Sequence, residues 1–228
     1  MKKNLLFIGM LLAMFGVISA QNTSGDLFAK KFSSNVTLFS DIVLNAPEGI
    51  NFRAINQGAG IYGTYTFPIE KSNFAFALGA GFTMHNLFSN GMLMDSSTAS
   101  YFVPYPDSVL DGRTLKYKNN KISLTYLDFP FELRYKHPDG FRFAIGGRLG
   151  VKMDAHTKFK GDNPETGDQE KVKYSDLPNF ESWRFGPTLQ IGYKWVDVTF
   201  FYSVTKVFQS NAGPQISPMS LGISLRPF

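Results

Sequence analysis

The chain contains no cysteine, so no disulfide can hold it together and no thiolate can help bind a metal. Charge is also scarce: Asp, Glu, Lys and Arg together make up 18 % of 228 residues. The formal net charge is +5, and residues 1–20, which carry Lys2 and Lys3 and no acid, account for two of those units. The remaining excess is dispersed, with no Lys/Arg cluster interleaved with aromatics, which argues against a nucleic-acid partner. Beyond residue 20 no apolar run approaches the roughly 20 residues a membrane-spanning helix needs.

Aromatic residues are what the chain has in plenty: 23 Phe and 10 Tyr. A soluble domain of this length would need a large core to hide so many rings. A membrane β-barrel turns them outward, into lipid and into belts at both interfaces.

The first twenty residues read as an export signal. Lys2 and Lys3 form a positive start, Leu5 to Val17 an apolar stretch, and Ser19-Ala20 a small-residue cleavage site before Gln21. The apolar stretch is too short for a spanning helix, and no cysteine follows the cleavage point to carry a lipid. The expected organisation is a signal peptide over 1–20, a periplasmic N-terminal segment over 21–33 and one barrel domain over 34–228.

Successive side chains of a strand face opposite sides, so a membrane barrel alternates lipid-facing and lumen-facing residues. Residues 141–153 show this most clearly. Phe141, Phe143, Ile145, Leu149, Val151 and Met153 share one face; Arg142, Ala144, Gly146, Arg148, Gly150 and Lys152 share the other. Similar segments occur at about 34–44, 59–67, 73–85, 183–193, 196–204 and 219–226. Residues 121–136 change phase: Ile122, Leu124 and Tyr126 are even, whereas Phe129, Phe131, Leu133 and Tyr135 are odd. A β-bulge near Leu127-Asp128 would put both sets on the lipid face.

The pattern predicts an all-β, eight-stranded, antiparallel up-and-down transmembrane barrel. The links alternate in length. Short turns lie at 70–72, 137–140 and 194–195; longer segments lie at about 45–57, 86–120, 154–181 and 208–217. Outer-membrane barrels have short periplasmic turns and longer extracellular loops. An even strand count then puts both termini on the periplasmic side. A hairpin inside 86–120 would raise the count to ten.

The run Tyr126-Leu127-Asp128-Phe129-Pro130-Phe131-Glu132-Leu133-Arg134-Tyr135, followed by Gly146-Gly147-Arg148-Leu149-Gly150 and a terminal Phe228, resembles the small outer-membrane barrels of Bacteroidetes often called PorT-like. The resemblance spans about residues 30–228 and implies location and fold, not a shared activity. In this chain Phe228 is out of phase with Leu221, Ile223 and Leu225, with Pro227 between.

Alternation places a set of charges in the lumen: Asp128, Glu132, Arg134, Arg142, Arg148, Lys152, Arg184 and Asp197, with Asp41 and Arg226 besides. The interior of an eight-stranded barrel is just wide enough to be filled by side chains. These charges are therefore expected to pair as a network that closes the lumen; a narrow or gated pore is the alternative. A second candidate is the apolar loop 86–120, where Met92, Leu93, Met94, Tyr101, Phe102 and Tyr105 would either fold over the barrel mouth or form a binding surface. A surface hydrolase acting on lipid A or peptides would need His85 or His156 beside an acid such as Asp95. No metal site or cofactor motif is evident: the acids of 160–170 lack calcium-loop spacing, and Gly58-Ala59-Gly60 lacks the Lys-Ser/Thr and helix of a phosphate loop. The expected protein is a monomer without cofactor or catalysis. Its partners would be outer-membrane lipid, the export and barrel-assembly machinery, and another surface or periplasmic protein.

Overall fold

The structure, a computed structural model, describes residues 31–226 apart from 97, 107–108, 111–112, 164 and 176. The expected export signal over 1–20 and the Pro227-Phe228 end lie outside the described residues. In chain order the strands are β1 (Phe32–Leu44), β2 (Gln57–Pro68), β3 (Phe74–Phe88), β4 (Gly91–Asp95), β5 (Ser100–Pro104), β6 (Val109–Leu110), β7 (Arg113–Thr114), β8 (Tyr117–Lys136), β9 (Phe141–Asp162), β10 (Gln169–Ser175), β11 (Trp183–Tyr193), β12 (Val196–Tyr202) and β13 (Ser217–Leu225).

Eight of these form a closed antiparallel barrel in the order β1, β2, β3, β8, β9, β11, β12, β13, and β13 pairs back onto β1. Closure leaves no unpaired edge within the barrel wall. The β4–β5 hairpin pairs only with itself, so the long loop adds no staves and the barrel has eight strands, not ten. β10 extends the sheet at one place only, pairing with the far end of β9.

The period-2 pattern sorts side chains as expected along most of the wall. Leu38, Phe76, Leu78, Ile145, Phe185, Ile191, Val198 and Ile223 stand exposed on the outside, while Thr37, Ala77, Ala144, Arg184, Thr188 and Ser224 are buried inside. An apolar girdle of this kind is stable only against hydrocarbon. Trp183 ends the girdle towards the long loops; Tyr193 and Trp195 end it towards the short turns, all three more than half exposed. The turns use left-handed residues where the chain reverses tightly, with φ of 57° at Lys71, 97° at Gly140 and 54° at Lys194.

Two expectations are corrected. β8 carries no bulge near Leu127-Asp128 and, beyond an extra residue at Lys118, keeps one phase: Ile122, Leu124 and Tyr126 are buried in line with Asp128, Glu132 and Arg134. The irregularity lies on β9, where Thr125 pairs with Asp154 but Tyr126 with Lys152, so Met153 is the extra residue. The 154–181 segment is also largely strand, since β9 runs on to Asp162 and β10 returns beside it.

Above that irregularity the pattern changes meaning. Ala155 and Phe159 turn inward and are buried. Ala155 joins Leu87, Ile122, Leu124, Tyr126, Leu177, Phe180, Val207, Phe208 and Ile216 in the barrel's apolar interior at the long-loop end. Phe180 and Phe208 pack with their rings tilted, centroids 4.5 Å apart, and are fully buried. Burying such a side chain stabilises by about 1.5–3 kcal/mol. The long-loop end is therefore stoppered by side chains from the wall and from the segments around 177–180 and 207–216.

Candidate functional site

Below the apolar stopper the lumen is ionic. Arg184, on β11, is its centre. It donates through Nε to Asp128 Oδ1 at 3.1 Å and through Nη2 to Asp128 Oδ2 at 2.5 Å. Nη2 also reaches Thr83 Oγ1 at 2.6 Å, and Nη1 reaches His85 Nε2 at 2.6 Å. A guanidinium only donates, so His85 Nε2 accepts and Nδ1 carries the proton. Nδ1 meets Asp41 Oδ2 at 2.7 Å, and Ser220 donates to Asp41 Oδ1 at 2.6 Å. Four strands thus contribute to one buried chain, Asp41–His85–Arg184–Asp128, with every side chain at most 4 % exposed. Tyr126 lies flat against it, its ring 3.9 Å from the Arg184 guanidinium. The glycines of the lumen rows make room for these groups: at Gly150 a Cβ would sit 2.8 Å from Arg184 Cγ.

Nearer the short turns lies a second cluster. Arg134 pairs with Glu132 at 2.8 Å and also donates to Thr64 and Thr66, each at 3.0 Å. Gln190 donates to Glu132 at 2.7 Å and accepts from Arg226 at 2.9 Å. Asp197 takes Arg142 at 2.9 Å and Arg226 at 3.6 Å. A recess of about 710 Å³ opens from the short-turn end and reaches Arg134, Gln190 and Arg226.

The two remaining predicted lumen cations do not pair with acids. Arg148 sits between the clusters with its guanidinium 4.6 Å from the Phe201 ring and 5.0 Å from that of Tyr62. Such contacts hold a desolvated cation by about 2 kcal/mol. Lys152 faces the stopper, where its Nζ donates to the Phe180 carbonyl at 2.8 Å.

Sequence reasoning did not bring Asp41, His85, Thr83 and Ser220 together. One signal was available: His85 shares the parity of Gly81 and Thr83 and therefore points inward. The pairing of His85 or His156 with Asp95 is not formed. Asp95 accepts from Ser100 and Asn179 instead, and His156 meets Asp154 at 2.7 Å.

The apolar loop divides its residues between two faces. In the β4–β5 hairpin Leu93 pairs with Phe102, and both pack onto the stopper. Met92 pairs with Val103 and Met94 with Tyr101; Met94, Tyr101 and Val103 are exposed. Tyr105 is tied down, its hydroxyl donating to the Asp162 carbonyl at 2.8 Å and its ring resting on Tyr117 and Phe159. Asn179 and the Ala212 carbonyl fasten the hairpin across the mouth through Ser96 and Ser100.

A closed eight-stranded wall with an apolar exterior and an ionic interior is an integral membrane barrel. A family model described as outer membrane protein beta-barrel domain matches residues 20–209, and the chain belongs to that family, in the outer membrane and in contact with its lipid. No curated protein matches it. Among solved structures it is similar to Ail, the attachment invasion locus protein of Yersinia pestis, at 14 % identity and a TM-score of 0.42, over 86 % of this chain and 97 % of that one. The complex of Ail with the heparin analogue sucrose octasulfate gives 13 % and 0.39, over 86 % and 97 %. A triple mutant of the Rhodopseudomonas blastica porin gives 8 % and 0.22, over 86 % and 98 %.

Proposed function

We propose that this protein is a sealed, non-catalytic, monomeric outer-membrane barrel that acts through its long-loop end, which faces the cell exterior. Export uses residues 1–20, with cleavage after Ala20, and both termini of the mature chain lie in the periplasm. Within the family it falls nearest the PorT-like barrels of Bacteroidetes, on the strength of the Tyr126–Tyr135 run. In that run Tyr126, Asp128, Pro130, Glu132 and Arg134 all point into the lumen. Its partners are the export and barrel-assembly machinery and a second surface or periplasmic protein, met through the outer face of the β4–β5 hairpin at Met92, Met94 and Tyr101.

The observation that carries this reading is double closure. The apolar stopper fills one end of the barrel and the Arg184 and Arg134 clusters fill the middle. A solute entering the short-turn recess meets charges already engaged with one another. Both nitrogens of His85 are engaged as well, which leaves no imidazole lone pair free to act as a base there.

Because the chain has no cysteine of its own, orientation can be tested with single introduced thiols. Thr166→Cys, in the β9–β10 turn, should react in intact cells with a membrane-impermeant maleimide. Asp139→Cys, in the β8–β9 turn, should react only after the outer membrane is opened. Labelling of Asp139→Cys alone in sealed cells would reverse the proposed topology.

A further inference from the structure

β8, β9 and β10 continue past the apolar girdle as a three-stranded blade, and its outward face is a grid of lysines. The register sets Lys121 opposite Lys158, and Lys158 opposite Lys173. One step further along, Lys160 stands between Asn119 and Lys171. Like charges directly opposite on neighbouring strands are destabilising, yet here they run across three strands. The row continues onto β3 and its neighbouring loop: Lys121 and Arg53 lie on Phe88, at 5.3 and 4.6 Å from its ring centre.

Among the described residues no acid stands within these two rows; Asp162, one row further along β9, is buried and accepts from the Lys116 backbone N–H at 3.0 Å. Glu170 pairs with Gly161 on the other face and bonds Asn163. Asp154, below the grid, is taken by His156. None of the ion pairs among the described residues engages Lys121, Lys158, Lys160, Lys171 or Lys173. Lys121 is held in place by the Asn86 side chain at 2.7 Å.

The height of the grid identifies its occupant. Met153 is the last outward apolar residue of β9 and Lys158 follows five residues on. At about 3.3 Å per residue and a tilt near 45°, the first lysine row lies roughly 12 Å beyond the girdle. That is the headgroup zone, and the lysines face sideways along it, not up from the loop tips.

We propose that the Lys121/Lys158/Lys173 and Lys160/Lys171 rows are a docking surface for the phosphate groups of glycolipid headgroups in the outer leaflet. The proposal rests on the orientation given above. The bound phosphates supply the negative charge that the wall omits, so the cost of opposing lysines is offset only in the native membrane. The barrel is thereby tethered to specific lipids around one sector of its circumference.

The test uses the full mature chain in zwitterionic micelles, titrated with bisphosphorylated lipid A and with its dephosphorylated form. The intact protein should bind the phosphorylated lipid in preference, and high salt should weaken that binding. Each Lys→Gln change should cost about fivefold in affinity, so Lys158→Gln alone gives a measurable loss and Lys158→Gln/Lys160→Gln/Lys171→Gln/Lys173→Gln abolishes the preference. Without phosphorylated lipid the fourfold variant should be at least as stable as the parent, because opposing charges have been removed. Equal binding by parent and variants overturns the proposal. So does a parent that ignores the lipid and binds a soluble polyanion such as inositol hexaphosphate through the same lysines. The Thr166→Cys and Asp139→Cys labelling is independent of lipid binding, so a wrong orientation shows separately from a wrong ligand.

Discussion

Ile145→Arg should cost about 2–4 kcal/mol of unfolding free energy in lipid vesicles, because its guanidinium would lie near the bilayer midplane without water. Ile145 is half exposed on the outer wall midway along the girdle segment of β9. Its neighbour Ala144 is buried inside and lines the short-turn recess with Arg134 and Arg142. The informative comparison is therefore one acid at both positions. Ile145→Asp places a carboxylate against hydrocarbon, whereas Ala144→Asp places it among cations. Denaturant titration should find Ile145→Asp the more damaging of the two. Equal cost, or the reverse order, would mean that the lipid and lumen faces of β9 have been exchanged.

Asp128→Asn should destabilise the barrel by about 3–5 kcal/mol, since it leaves Arg184 buried without its countercharge. Asp128 also receives Thr83 at 2.7 Å and Tyr62 at 3.4 Å, so the loss spreads through the lumen. The ion pair itself is a weaker stabiliser than this number suggests, because most of the loss is the penalty of the orphaned cation. Arg184→Met combined with Asp128→Leu should accordingly lose less than the sum of the two single changes, by about 2–3 kcal/mol. Denaturant midpoints of the four proteins in vesicles give the coupling directly. Strict additivity would show that the two residues do not act as a pair.

The wall was legible from the sequence because lipid and lumen impose opposite chemistry on alternate residues. Residues 141–153 and 183–193 display that alternation most clearly, broken only at Gly147 and Pro187, and the turns at 137–140 and 194–195 punctuate it. Legibility fails where the membrane ends. Beyond Met153 the outward residues of β9 are His156, Lys158 and Lys160 and the inward ones include Ala155 and Phe159, so apolar no longer means lipid-facing. The same inversion misleads on β8, where Ile122, Leu124 and Tyr126 belong to the interior stopper and require no bulge. The lumen charges could be placed inside by parity alone. Their partners could not, since Asp41, His85, Arg184 and Ser220 meet through the register of strands far apart in sequence. The loop hairpin was likewise hidden: nothing in the run from Met92 to Phe102 says which of two faces turns down onto Phe208.

Conductance tests the sealed barrel most directly. The mature chain, inserted into planar bilayers, should give no steady current steps at any applied voltage, because the proposed seal, the stopper around Phe180 and Phe208 with the Arg184–Asp128 layer, would block a water path. Stable, ion-selective steps would contradict the account and show that the lumen conducts.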